Sequence, residues 1–245
     1  MIEVRYEHLL PAEFEARRAA VPVVYLPLGS IEWHSHHLPY GVDTQKASAL
    51  CERAARSYGG IVAPATPWGA MHGNWRGATH PGLRPETLRA MARDIVEGFA
   101  IVGFKVMMVV SGHWTSRQTV PYRAAIDEVG DRLGIRGFVT FDGSDEYDGF
   151  DIEEGLGMDH AGALETSLYA ALHPERVHLE RLMETDRSDL PGVSCERTAS
   201  GIHGADPVMG IDVEQGGRHA DRVVELLGAR ALALLGNGES TMEGR

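Results

Sequence analysis

Between Val23 and Asp43 the chain reads VVYLPLGSIEWHSHHLPYGVD, and the twelve residues from Glu32 to Asp43 hold Glu32, His34, His36, His37 and Asp43. Oxygen and nitrogen donors in this mixture suit zinc, manganese or iron(II), and a carboxylate such as Asp43 can bridge two ions. Loop histidines also serve as hydrogen-bonded structural residues, so the cluster by itself is half of a candidate metal site. Chemically capable residues that could form the other half lie downstream. His113 follows the apolar run KVMMVV in the turn Ser111-Gly112-His113-Trp114, and His160 and Glu165 lie five residues apart across a helix start. An acid on the apolar side of a helix is costly without a partner, although the helix dipole favours one in the first turn.

The elements around these residues follow from apolar spacing. Val21 to Leu28 is almost continuously apolar, which predicts a strand buried on both faces of a parallel sheet. Thr44 to Ser57 returns to helical spacing, with Ala47, Leu50, Cys51 and Ala54 on one stripe, so the ligand-rich loop joins a strand to a helix. Pro11 to Ala20 and Pro85 to Val102 read as helices opened by proline. Ile61 to Pro64, Lys105 to Val110 and Gly137 to Phe141 read as further strands. A helix-like segment opens at Ser116, a further helix covers Tyr122 to Leu133, and a last one runs from Asp212 to Leu235. Ligands of open parallel sheets bind at the carboxyl ends of strands, so His113 is expected beside the Glu32 to Asp43 loop.

The loop TPWGAMHGNWRGATHPG packs two Trp, two His, an Arg and four Gly into seventeen residues. Long ordered loops of this kind tend to be functional, and Trp68, His72 and Trp75, with Trp114, are expected to line a substrate pocket. The acidic stretch Asp142 to Glu154 lacks the spacing of a calcium-binding loop and reads as solvated. Gly201 to Gly217 carries no nucleotide fingerprint.

With 245 residues, 43% of them hydrophobic and 24% charged, the chain has an ordinary globular composition, and one domain over 1–245 suffices. A net charge of −12 without a basic run argues against nucleic acid or an anionic membrane as partner. No apolar stretch approaches the roughly 18 residues of a membrane span, and the acidic start MIEVRYEHLLPAEFEARR does not read as a signal peptide. Cys51 and Cys195 lack metal or redox spacing, so free thiols in a reducing cytoplasm are expected.

The segment LPLGSIEWHSHHLPYGVDT resembles the signature of the creatininase (creatinine amidohydrolase) family, in which Gly-Ser-x-Glu-x-His is followed nine residues after its histidine by an Asp. Ser111-Gly112-His113 is similar to the family's Asn-Gly-His turn, and His160-Ala161-Gly162-Ala163-Leu164-Glu165-Thr166-Ser167 to its His-Ala-Gly-x-x-Glu-Thr-Ser segment. The resemblance covers roughly residues 5 to 236 and implies a three-layer α/β/α sandwich with a mainly parallel sheet. It further implies that Glu32, Asp43 and His113 hold one divalent ion, and that His34 with the bridging Asp43 begins a second. Where creatininase places a Glu two residues after its Asn-Gly-His histidine, this chain has Thr115. A hydroxyl is a poor substitute, so Glu165 is expected to complete the second ion, and the departure puts creatinine itself in question as substrate.

A two-metal site (Zn, Mn or Fe) lowers the pKa of a bridging water, clamps the substrate oxygen and stabilises an oxyanion, which is the chemistry of carbonyl hydrolysis. His160 is then the candidate proton carrier, with His36 and His37 outside the coordination sphere. The leading expectation is hydrolysis of a small cyclic amide or related C–N bond. Competing expectations are ring opening of a cyclic keto-inositol at a C–C bond, a metal-dependent sugar isomerase, and metal binding without catalysis. A small-molecule substrate and a homo-oligomer, hexameric by the resemblance, complete the expectation.

Overall fold

A computed structural model of the chain describes residues 2–70, 82–142, 159–188, 190 and 199–236. It contains a four-stranded, wholly parallel sheet: β1 (Val23–Leu28), β2 (Ile61–Val62), β3 (Val106–Ser111) and β4 (Arg136–Phe141), in the order β2-β1-β3-β4. Between them run α1 (Pro11–Ala20), α2 (Val42–Tyr58), α3 (Pro85–Val102) and α4 (Ser116–Leu133). After β4 come α5 (Ala163–Leu172), the short α6 (Pro207–Gly210) and α7 (Val213–Gly236).

Continuous apolar strands follow from helices on both faces. Val24, Leu26 and Leu28 of β1, with Met107 and Val109 of β3, pack against Leu88, Ala92 and Val96 of α3 and Tyr122, Ala125 and Val129 of α4. Their neighbours Val23, Tyr25, Val106, Met108 and Val110 face the other way, onto Ala47, Leu50, Cys51 and Ala54 of α2 and Val223, Val224 and Leu227 of α7. The expected α/β/α layering is therefore present, with α3 and α4 on one side and α2, α5 and α7 on the other.

The chain winds outward from β1 to β2 and then crosses back to β3, so the winding reverses between β1 and β3. Such a reversal leaves a crevice beyond the strand ends, where ligands bind in sheets of this kind. The expected element boundaries hold for α1 and α3, and elsewhere move by a few residues. One difference matters for the site: α2 begins at Val42, which puts Asp43 in its first turn instead of in the loop. In another, Ser116 to Leu133 is one helix and not a helical segment followed by a second helix. Pro121 lies inside it, and burial of Gln118, Thr119, Pro121, Tyr122 and Ala125 on its inner face outweighs the lost backbone bond.

The free Cys51 thiol is buried, and its pKa is pushed up by burial; Cys195 lies outside the described residues. Among the described residues no helix is long and apolar enough to cross a membrane.

Candidate metal centre

The strands β1 and β3 end side by side, with Leu28 paired to Ser111, and deliver Glu32 and His113 to the crevice. Two glycines let α2 close over them. A Cβ at Gly29 would fall 2.4 Å from the Thr44 backbone nitrogen, and one at Gly112 would fall 2.1 Å from the Asp43 carbonyl oxygen. These close approaches bring the first turn of α2, and so Asp43, against both strand ends.

Glu32, His34, Asp43, His113, His160 and Glu165 converge there, all buried. His34 is oriented by its Nδ1, which donates to the Glu32 carbonyl at 3.1 Å. This fixes Nε2 toward three carboxylates: Asp43 Oδ1 at 3.1 Å, Glu165 Oε2 at 3.6 Å and Glu32 Oε1 at 3.8 Å. His113 Nδ1 lies 3.1 Å from Glu32 Oε1 and 3.4 Å from Asp43 Oδ2. Asp43 thus turns one oxygen to each histidine.

The ligand atoms form three overlapping groups, Glu32 with Asp43 and His113, His34 with Asp43 and Glu165, and Glu32 with His34 and His160, each within 4.8 Å. Carboxylate and imidazole donors at this spacing suit a borderline divalent cation. The electrostatics agree. Burial alone would favour a neutral His113, yet the Glu32 and Asp43 charges push it up to about 10. Burial likewise opposes charge on His34, and Glu165 and Asp43 still raise it well above an ordinary histidine. Asp43 is held well below the usual carboxylate range because His34 and His113 overcome its burial. A cluster that draws protons onto two buried imidazoles is a cluster that favours a cation, so the residues fit divalent ions.

His160 differs from the other two. Its Nε2 lies 2.8 Å from the Trp33 carbonyl oxygen, so it donates there, and Nδ1 faces Glu32 Oε1 at 3.5 Å. Burial and the neighbouring His34 charge lower its pKa against the opposing pull of Glu32 and Glu165. With Nε2 committed to Trp33, a neutral His160 ring turns its Nδ1 lone pair toward the cluster. Geometry also lets it join Glu32 and His34 as a third donor.

Thr115 turns its hydroxyl to the backbone. Its hydroxyl caps α4, accepting from the Arg117 amide at 3.3 Å. His37 is buried with Nε2 at 2.9 Å from the Thr166 hydroxyl, and burial followed by the His34 charge lowers it to about 3. His36 is exposed and packs edge-on against Trp33. Of the expected pocket residues, Trp68 is 49% exposed, and His72 and Trp75 lie outside the described residues. Trp114 is partly buried, with its indole N–H donating to Asp142.

That last contact corrects one expectation. Asp142 opens the stretch read as solvated but is fully buried, and its Oδ2 lies 3.2 Å from the Lys46 ammonium; residues 143–154 lie outside the described residues. The sequence reading also passed over Lys46 and Asp159. Asp159 ties down the start of α5, its Oδ1 accepting the Glu165 amide at 2.9 Å and its Oδ2 the Leu164 amide at 3.3 Å. Burial and then the Glu165 charge push Asp159 up to about 7. An acid three residues ahead of the Gly that opens the helix was the available signal. Ser35 (φ 59°) and Ala161 (φ 53°) adopt left-handed backbone next to His34 and His160. Such conformations cost about 1 kcal/mol or more for residues with a Cβ and gather at functional sites.

A parallel α/β sheet whose reversal point carries a buried carboxylate and histidine cluster defines an α/β protein with a candidate metal centre. The sequence pattern of the Creatininase family, described as creatinine amidohydrolase, matches residues 7–234, and the chain belongs to that family of amidohydrolase-type hydrolases. The creatinine amidohydrolase of Pseudomonas putida is 28% identical over 204 residues, covering 73% of this chain and 75% of that protein. A crystal structure of creatinine amidohydrolase (creatininase) superposes with a TM-score of 0.77 at 26% identity, over 94% of this chain and 97% of that one. A manganese creatininase gives 0.77 at 25% identity over the same shares. A Zn–Zn form of a glutamate-to-glutamine creatininase variant gives 0.76 at 25% identity, again over 94% and 97%.

Proposed function

We propose that this chain hydrolyses a small cyclic amide or a related C–N bond at a two-ion centre. In this reading Glu32, Asp43 and His113 hold one divalent ion, and His34, Asp43 and Glu165 hold the other. The observation that carries it is the orientation of Asp43, whose Oδ1 faces His34 and whose Oδ2 faces His113, so that two ligand triads meet at one carboxylate. Zinc and manganese lead as ions because creatininases of Zn–Zn and Mn type share the fold; the donor set also admits iron(II). When bound, such ions polarise a carbonyl oxygen and make water a nucleophile at neutral pH.

The protein's own residues do the rest. The Glu32 carbonyl fixes the His34 ring, leaving Nε2 as its donor atom. His160, pinned through Nε2 to the Trp33 carbonyl, takes a proton at Nδ1 from the attacking water and returns it to the departing nitrogen. Trp68, His72, Trp75 and Trp114 are assigned to the substrate's surroundings. A homo-oligomer, hexameric as the family implies, belongs to the same proposal and is read by light scattering.

The test is product mass. Zinc- or manganese-loaded protein offered a panel of lactams, other cyclic amides and formamides should add one water to at least one of them. Full metal occupancy with no amide turned over, or a product isomeric with its substrate, would refute the reading.

A further inference from the structure

Lys46 follows Asp43 by three residues on α2, so both side chains leave one face of the helix. Its side chain is fully buried, and its Nζ lies 2.5 Å from Glu165 Oε1 and 3.2 Å from Asp142 Oδ2. The Trp114 ring lies over the ammonium at 5.6 Å, and its indole N–H donates to Asp142. A buried ion group of this kind is weak evidence for stability, because apolar residues of similar size often serve as well. Its placement is informative in another way. Glu165 gives one oxygen to Lys46, while the other accepts the Ala161 amide at 2.6 Å and faces His34 Nε2 at 3.6 Å.

We infer that Lys46 is a built-in counter-charge that ranks the two metal positions, making that of His34, Asp43 and Glu165 the weaker and second-filled one. The inference rests on the two-ion reading above. Lys46 acts in two ways. It commits Glu165 Oε1, so that only Oε2 is left for an ion, and it sets a positive charge one carboxylate away from where that ion would sit. The position of Glu32, Asp43 and His113 lies on the far side of Asp43 from Glu165, so the ammonium weighs on it less. Four carboxylates, Glu32, Asp43, Glu165 and Asp142, share this pocket with Lys46. Asp159 adjoins Glu165 as well, and against this set of acids the ammonium and a first divalent ion together leave much less negative charge for a second ion. The second ion is thus held loosely enough to exchange while the first stays. Lys46 is a positioning residue, since it acts through Glu165 and not on substrate.

The test is a titration of metal-stripped full-length protein with Mn2+, followed by electron paramagnetic resonance. The wild type should take its first equivalent as a magnetically isolated ion. The spectrum of a coupled pair should appear only at free Mn2+ about tenfold or more higher, the scale of a fixed like charge nearby. In Lys46→Met, and in Lys46→Gln, which keeps an uncharged donor, the second dissociation constant should fall toward the first and the pair should appear below one equivalent. Both variants can be refolded with Mn2+ present, so that the ion compensates Glu165. Two indistinguishable constants in the wild type, or a second constant unchanged or weakened in a folded variant, would overturn the inference and leave the two-ion reading intact. Failure of the wild type to bind any Mn2+ would overturn the two-ion reading and the inference with it.

Discussion

A methyl group at Gly112 has no room, and what it strikes is the backbone that carries Asp43. The Cβ would sit 2.1 Å from the Asp43 carbonyl oxygen, 2.7 Å from the carbonyl carbon and 2.8 Å from Cα. Gly112 is not among the positive-φ glycines, so the constraint is space alone. Relieving the contact to an ordinary separation requires the end of β3 and the first turn of α2 to part by about 1 Å, an overpacking strain of about 1–3 kcal/mol. The displaced residue is the one whose two oxygens face two ligand groups, and a shift of about 1 Å in such a group costs on the order of a hundredfold in rate. Gly112→Ala should therefore unfold at lower denaturant with an unchanged slope, and should bind zinc or manganese more weakly at both positions. Gly98→Ala in α3 is the control, since nothing lies within 4 Å of a Cβ there; it should be neutral or slightly stabilising. A Gly112→Ala protein with the wild-type midpoint and full metal affinity would refute the argument that this close approach positions Asp43.

Asp43→Ala should lose both ions by elemental analysis, and full metal content in that variant would remove the bridging role. Glu165→Gln should lose one ion and keep the other, while Thr115→Val, whose hydroxyl caps α4, should keep both; the reverse pattern would exchange their roles. His160→Gln should keep both ions, drop turnover by about 10²- to 10⁴-fold and lose one limb of the pH–rate profile. Loss of an ion from His160→Gln would instead make it the third donor beside Glu32 and His34.

Much of the site was legible because its signals are local. Glu32, His34 and Asp43 sit within twelve residues, and His113 directly follows an apolar strand. Prolines at their first turns marked α1 and α3. The start of α2 was misplaced by two residues because its cap is Gly41, which offers no side-chain oxygen to signal a helix start. Lys46 and Asp142 were missed for a different reason. On its own helix Lys46 reads as an ordinary solvated charge, and on its own loop Asp142 reads as one acid of several. Each is buried only because the other, 96 residues away, and Glu165 are brought to it by the fold. Long-range neutralisation leaves no periodicity to read.

Thr115 and Lys46 act in one direction on the electrostatics of the centre. Thr115 offers the centre a neutral hydroxyl, where a carboxylate would add negative charge. Here that position is a helix cap, and the remaining carboxylate, Glu165, is already neutralised by Lys46. Both residues leave the surroundings of Glu165 less negative, Thr115 by bringing no acid and Lys46 by bringing a base. Two such residues acting in one direction do not suit a centre that holds two ions equally. They favour one in which the ion at Glu32, Asp43 and His113 is resident and its neighbour is exchangeable. In that arrangement the affinity of the second position, set on α2 and α5 away from the strand ends, decides how many ions the centre holds at a given metal concentration.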